Sequence, residues 1–166
     1  MKALLSHEKA LVIRQQSLPP AHPLLASSYS NIGSVCDHIG DYSRARLSHE
    51  KALAIRQKSL PSTHPDLAAS YNNIGNVYKN MGDYPTALSF YKKDLKISQK
   101  SLLPTDPNLA KTYANIGSLH ENMGNDSEAL GNFQRALDIA QHSLPADHPE
   151  LQRHRENFAR IKKKLQ

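Results

Sequence analysis

Apolar residues return along the chain at helical spacing, in blocks separated by polar turns rich in Pro and Gly. One set of blocks carries Tyr29, Ile32 and Val35, then Tyr71, Ile74, Val77 and Tyr78, then Tyr113, Ile116 and Leu119. A second set carries Ala45, Leu53 and Ile55, then Ala87, Leu88, Leu95 and Ile97, then Ala129, Leu130, Leu137 and Ile139. Steps of three and four residues place each block on one face of an amphipathic helix. Two kinds of helix, A and B, therefore alternate.

Start and stop signals bound them. Leu-Pro-x-x-His-Pro runs from Leu18 to Pro23, Leu60 to Pro65 and Leu144 to Pro149, with a diverged copy from Leu102 to Pro107, each 42 residues after the last. Pro23, Pro65, Pro107 and Pro149 suit the first helical position, where a missing N–H costs nothing. His22, His64, Asp106 and His148 then fall at the N-cap, Asp an ordinary choice there and His a poorer one. Helix A runs from about Pro23 to Ile39, Pro65 to Met81 and Pro107 to Met123, ending at Gly40, Gly82 and Gly124, which suit a left-handed C-cap. Asp41, Asp83 and Asn125 follow as caps for helix B, which runs to about Ser59, Ser101 and Ser143.

Residues 18–59 and 60–101 share 22 of 42 positions without a gap. Self-similarity at such a period means that each unit buries its apolar face only against its neighbours. Gly33, Gly75 and Gly117 sit inside helix A at a cost of about 1 kcal/mol each relative to Ala. Close packing of the small Ala45, Ala87 or Ala129 of helix B against the glycine backbone accounts for a cost repeated in every unit.

The string from Tyr71 to Tyr78, with Gly82, Asp83, Tyr84, Ala87, Phe90 or Tyr91, and Leu95, resembles the tetratricopeptide repeat, a helix-turn-helix unit of 34 residues. Here helix B and its connection are longer, and this form is similar to the repeats of kinesin light chain and nephrocystin-type proteins. The resemblance implies an all-α fold, a right-handed superhelical solenoid of about seven helices. Its expected units are a lone helix B at residues 1–17, repeats at 18–59, 60–101 and 102–143, and a C-terminal capping helix A at 144–166. Ser6 to Leu11 matches Ser48 to Leu53, so the chain opens in mid-repeat, and more repeats are expected upstream in a parent protein. In the last helix Arg155 replaces the repeat Tyr and Ala159 the Gly, giving the polar helix that a terminal cap requires.

Composition changes this picture little. No apolar run of membrane-spanning length and no signal-like N-terminus appears, so no membrane partner is expected. The single Cys36 has no partner for an internal disulfide and reads as a partly buried filler, which makes the cytoplasm the default compartment. The net charge is +6, and about four of those charges lie in the last helix and tail, where Arg153, Arg155, Arg160 and Lys162 to Lys164 outweigh Glu150 and Glu156. The tyrosines take core-facing spacing instead of standing beside a basic stripe, so no nucleic acid is expected; acidic protein segments are. His22, His64 and His148 recur one repeat width apart, on the order of 10 Å, too far to share a zinc ion. No phosphate loop, nucleotide fingerprint or nucleophile elbow occurs, and the reading is of a chain that is not an enzyme and needs no cofactor or metal.

What remains is a binding surface. By resemblance, helix A lines the concave groove of such arrays. Asn31, Asn73, Asn115 and Asn157 recur on it two positions after the Tyr site, and propensity does not explain a middling helix former at mid-helix. Their amides offer a peptide both donor and acceptor, or else bridge adjacent helices within the array. The full groove set is Asn31, Ser34, His38, Asn73, Asn76, Lys79, Asn80, Lys111, Asn115, Ser118 and Asn122. Asn and Lys111 match positions of the carboxylate clamp of chaperone cofactors, but Ser30, Ser34 and Asn115 stand where basic residues would be needed, so no full clamp is expected. The expected function is a protein-protein interaction scaffold for peptide or helical segments of partners; the resemblance implies short acidic motifs with an aromatic or aliphatic anchor as ligands. The alternative is a structural module self-associating head to tail, with Leu4 or Leu5, Leu11 and Ile13 packing on Leu151, Phe158, Ile161 and Leu165 of the next molecule.

Overall fold

The computed structural model describes residues 2–166. Among them lie eight helices and no strand: α1 Lys2–Ser17, α2 Pro23–His38, α3 Tyr42–Ser59, α4 Pro65–Asn80, α5 Tyr84–Ser101, α6 Pro107–Asn122, α7 Asp126–Ser143 and α8 Pro149–Lys164. The count is close to the seven or so expected; α2, α4, α6 and α8 are the A helices. Each helix packs chiefly on its neighbours in sequence, most closely within the pairs α2/α3, α4/α5 and α6/α7, as in a solenoid.

The turns follow from local chemistry. His22, His64 and His148 serve as caps because Nδ1 stands where an Asx oxygen would: it accepts the backbone N–H of Leu24 at 3.2 Å, and those of Asp66 and Glu150 at 3.1 Å each. Asp106 accepts from Asn108 in the same way at 2.8 Å. Gly40, Gly82 and Gly124 take φ of +81°, +81° and +76°, the left-handed region that favours glycine. Asp41 and Asp83 cap α3 and α5 through the N–H groups of Arg44 and Thr86. Asn125 departs from the expectation and makes no side-chain cap bond; the first turn of α7 instead carries Asp126 and Glu128, whose charge favours the positive helix end.

The mid-helix glycines accommodate a ring that the sequence reading did not expect, and at Gly75 the expected Ala87 lies beside it, its carbonyl oxygen 3.4 Å from where a Cβ would stand. Ala45, Ala87 and Ala129 are fully buried, but it is the ring one turn further along helix B that lies against the glycine. A Cβ on Gly33 would stand 2.7 Å from the His49 ring, on Gly75 2.7 Å from Tyr91, and on Gly117 2.9 Å from Phe133.

A second ladder joins successive repeats. Gln15, Gln57 and Gln99 donate to the hydroxyls of Tyr29, Tyr71 and Tyr113 at 2.9, 3.1 and 2.9 Å. The following helix B places Lys51, Lys93 or Arg135 over the same ring, 5.4 to 5.6 Å from its centroid. The repeat Tyr thus links three helices.

At the ends the structure narrows the head-to-tail reading. Leu151 and Ile161 are buried against the array rather than free for a second molecule, and Leu4 also turns inward. Leu5, Val12 and Ile13 on α1 are exposed.

Candidate functional site

The A helices form one row, and side chains bridge along it. Asn80 donates to Asp37 across α4 and α2 at 2.9 Å, Lys111 pairs with Glu150 across α6 and α8 at 3.4 Å, and Arg160 pairs with Glu121. Between the bridges lie two adjoining depressions that share Asn72 and Lys111 on their walls. One, of about 250 Å³, lies between α4 and α6 over Asp94 of α5. The other, of about 310 Å³, lies between α6 and α8 and is lined by Asn115, Ser118, Arg153 and Asn157 among others.

The expected groove residues fall on this row but divide in behaviour. Asn31 is exposed, while Asn73 and Asn115 are half-buried, and among the described residues their amides make no side-chain hydrogen bond; the fourth of the series, Asn157, accepts from Arg160 of its own helix at 3.2 Å. Asn76 is committed internally, accepting from the Tyr91 hydroxyl at 2.6 Å and donating to Asn72 at 3.2 Å. Asn80 and Lys111 are held by Asp37 and Glu150. Ser34 bonds back to the Ser30 carbonyl, as Ser does in a helix. His38 and Asn122 sit exposed at the last turns of α2 and α6, and Lys79 and Ser118 are half-buried.

The charge of the row is concentrated at its α6/α8 end. Lys111 Nζ and Arg153 Nη2 converge on the same Glu150 oxygen, at 3.4 and 3.8 Å, so two cations share one carboxylate. These contacts are half-exposed and stabilise the fold by no more than about 1 kcal/mol each. Their consequence is a locally positive surface beside Asn115.

The sequence reading missed the polar layers between repeats. Arg14 of α1 donates to the Ser28 hydroxyl and the Leu24 carbonyl of α2, and Arg56 of α3 donates to the Ser70 and Ser30 hydroxyls. In the next layer Ser98 stands where Arg56 would be and Asp94 where Ala52 would be. The buried Asp94 carboxylate accepts from Asn72 at 2.9 Å, Ser98 at 2.8 Å and Thr112 at 2.9 Å. Burial pushes its carboxyl above the usual range, and the three hydrogen bonds oppose that shift. The signal was present in the repeats laid side by side: Ala10, Ala52, Asp94 and Ala136 share one position, and only one carries charge.

Comparison with known proteins fixes the family. The tetratricopeptide repeat profile matches residues 2–58 and 66–142. The chain belongs to the tetratricopeptide repeat family. As such an array it is, in general terms, a protein-protein interaction scaffold. Among curated proteins no match is found. Among solved structures, TPR-like repeats of a Podosopora anserina protein assigned to the kinesin light chains superpose with a TM-score of 0.82 at 22% identity, over 98% of this chain and 77% of that one. BtubC (BKLC) from P. vanneervenii gives 0.86 at 24% identity over 96% of this chain and 63% of that one. The apo form of RapI gives 0.81 at 15% identity, over 98% and 43%. The architecture is thus kinesin light chain-like. No helix among the described residues is long and apolar enough to cross a membrane.

Proposed function

We propose that this chain is a non-catalytic scaffold that holds an extended segment of a partner protein along the row α2, α4, α6 and α8. The observation that carries the reading is the set of amides on Asn31, Asn73 and Asn115. They recur once per repeat on one row, and among the described residues they make no side-chain hydrogen bond. An extended backbone alternates donors and acceptors, which side-chain amides match in pairs. The shared carboxylate under Lys111 and Arg153 favours an acidic residue at the α6/α8 end.

The test is fluorescence anisotropy with the strongest ligand from an array of extended acidic peptides. Asn73→Ala combined with Asn115→Ala should weaken binding about tenfold or more, at roughly 1 kcal/mol per lost bond, with the helical circular dichroism unchanged. Unaltered affinity in the folded double variant would refute the amide reading.

Self-association through the end of the array is the second reading, favoured by the exposure of Leu5, Val12 and Ile13 on α1. It predicts a mass that grows with concentration and ceases to grow once residues 1–17 are removed. A concentration-independent mass for the whole chain excludes it.

A further inference from the structure

The geometry points to the depression between α4 and α6 as a receptor site for one basic side chain, a guanidinium or alkylammonium, of the bound segment, with the Asp94 carboxylate as its anion. This deepens the groove reading and rests on it.

The argument comes from the array's own register. Arg14 and Arg56 fill two successive inter-repeat layers from within, each reaching the next A helix. The groups that receive them have counterparts 42 residues on: Ser70, which takes Arg56, corresponds to Thr112, and Ser30 corresponds to Asn72. Leu24, whose carbonyl takes Arg14, corresponds two repeats later to Asn108. Thr112, Asn72 and Asn108 all line the α4/α6 depression, together with Ser98, which stands in the place of the arginine itself. With Ser in place of Arg, these groups line a depression of about 250 Å³.

The same layer gains a negative charge where the others have Ala. Asp94 uses three acceptor positions, on Asn72, Ser98 and Thr112, and a carboxylate offers about four. A planar donor entering the depression therefore meets an anion already oriented by three hydrogen bonds, at no cost of reorganisation. Asp66 adds a second carboxylate to the wall, and the cation among the lining residues, Lys111, pairs with Glu150. Burial disfavours the Asp94 anion when the site is vacant, so an incoming cation also relieves that penalty. A neutral side chain of the same shape would relieve nothing.

The test uses the whole chain and two blocked tripeptides, Gly-Arg-Gly and Gly-citrulline-Gly, the second isosteric and uncharged. Titration up to the order of tens of millimolar, followed by amide NMR, should shift the Asn72 side chain and the Ser98 and Thr112 amides with the arginine probe, and bind the citrulline probe about tenfold or more weakly. Asp94→Asn, which keeps a hydrogen-bonding group in the layer, should reduce arginine binding to the citrulline level. Ser98→Arg, which restores the arginine of the earlier layers, should abolish it by filling the site. Equal binding of the two probes, arginine binding unaffected by Asp94→Asn, shifts confined to other residues, or no shifts at all would each overturn the proposal. Array peptides that still bind along the row in that event leave the groove reading standing.

Discussion

The Tyr91 ring packs against the backbone of Gly75, so close that a Cβ at residue 75 would stand 2.7 Å from both Cδ1 and Cε1. The ring cannot yield cheaply, because Tyr91 is fully buried and its hydroxyl is fixed on Asn76 at 2.6 Å. Gly75→Val should therefore destabilise the fold by about 3 kcal/mol, the upper end for overpacking. Gly75→Ala should destabilise it too, despite a gain of about 1 kcal/mol in helix propensity. Chemical denaturation measures both, and a stability unchanged from wild type would place the ring elsewhere.

The glutamine–tyrosine ladder makes a smaller prediction. Tyr71→Phe removes the hydroxyl that accepts from Gln57 but leaves the ring under Lys93, so the loss should be about 1 kcal/mol. In a double-mutant cycle with Gln57→Ala the second substitution should add little. Additive losses would show that the two side chains do not interact.

Acid should weaken the array through its buried histidines. His49 and His154 have their pKa lowered from 6.5, first by burial, and their buried Nδ1 atoms have no hydrogen-bond partner among the described residues. A base with a lowered folded pKa is neutral in the fold, so its stability is fully present above about pH 6.5 and falls as pH drops through the window down to the folded value. Replacing His49 by the Phe that the third repeat carries at Phe133 should raise stability by about 1 kcal/mol and flatten that acid slope. A slope as steep as that of the wild type would assign the effect elsewhere.

Asp94 should act with the opposite sign. Its raised pKa means that the folded state holds the proton at a pH where the unfolded chain has lost it. Stability is therefore lost as pH rises from about 4 through the folded pKa of this one group. Asp94→Asn should remove that component and leave the fold at neutral pH as stable as wild type or more so, measured by thermal unfolding across pH. A large loss at neutral pH would mean that the carboxylate is indispensable to the layer.

Much of this was legible in the sequence, and the reason is the repeat. A helix boundary read once is ambiguous, but Pro, Gly and cap residues returning at a 42-residue period confirm one another, which is why the A helices ended within a residue of their expected positions. The cap at Asn125 did not follow, because identity at a cap position does not fix the rotamer. The glycine contacts were only partly legible: Ala87 does approach Gly75 through its carbonyl, but the closer neighbour is the Tyr91 ring. Helical spacing shows that Ala87 and Tyr91 share a face, but not which of them the neighbouring backbone meets. The Asp94 layer is not legible in what recurs, because its content lies in what changes: Arg to Ser at residue 98 and Ala to Asp at residue 94. Of the groove residues, those on the Asn31, Asn73 and Asn115 row keep their side chains uncommitted. Asn76 and Asn80 do not, because Tyr91 and Asp37, which hold them, lie on other helices that no local pattern in the sequence brings beside them.

The most direct test of a groove on the A-helix row is amide NMR of the whole chain titrated with its best array peptide. Perturbations should run along α2, α4 and α6, with the side-chain amides of Asn31, Asn73 and Asn115 and the Lys111 region moving at one common affinity. Perturbations confined to α1, α3, α5 and α7, with those three amides unmoved, would contradict the account.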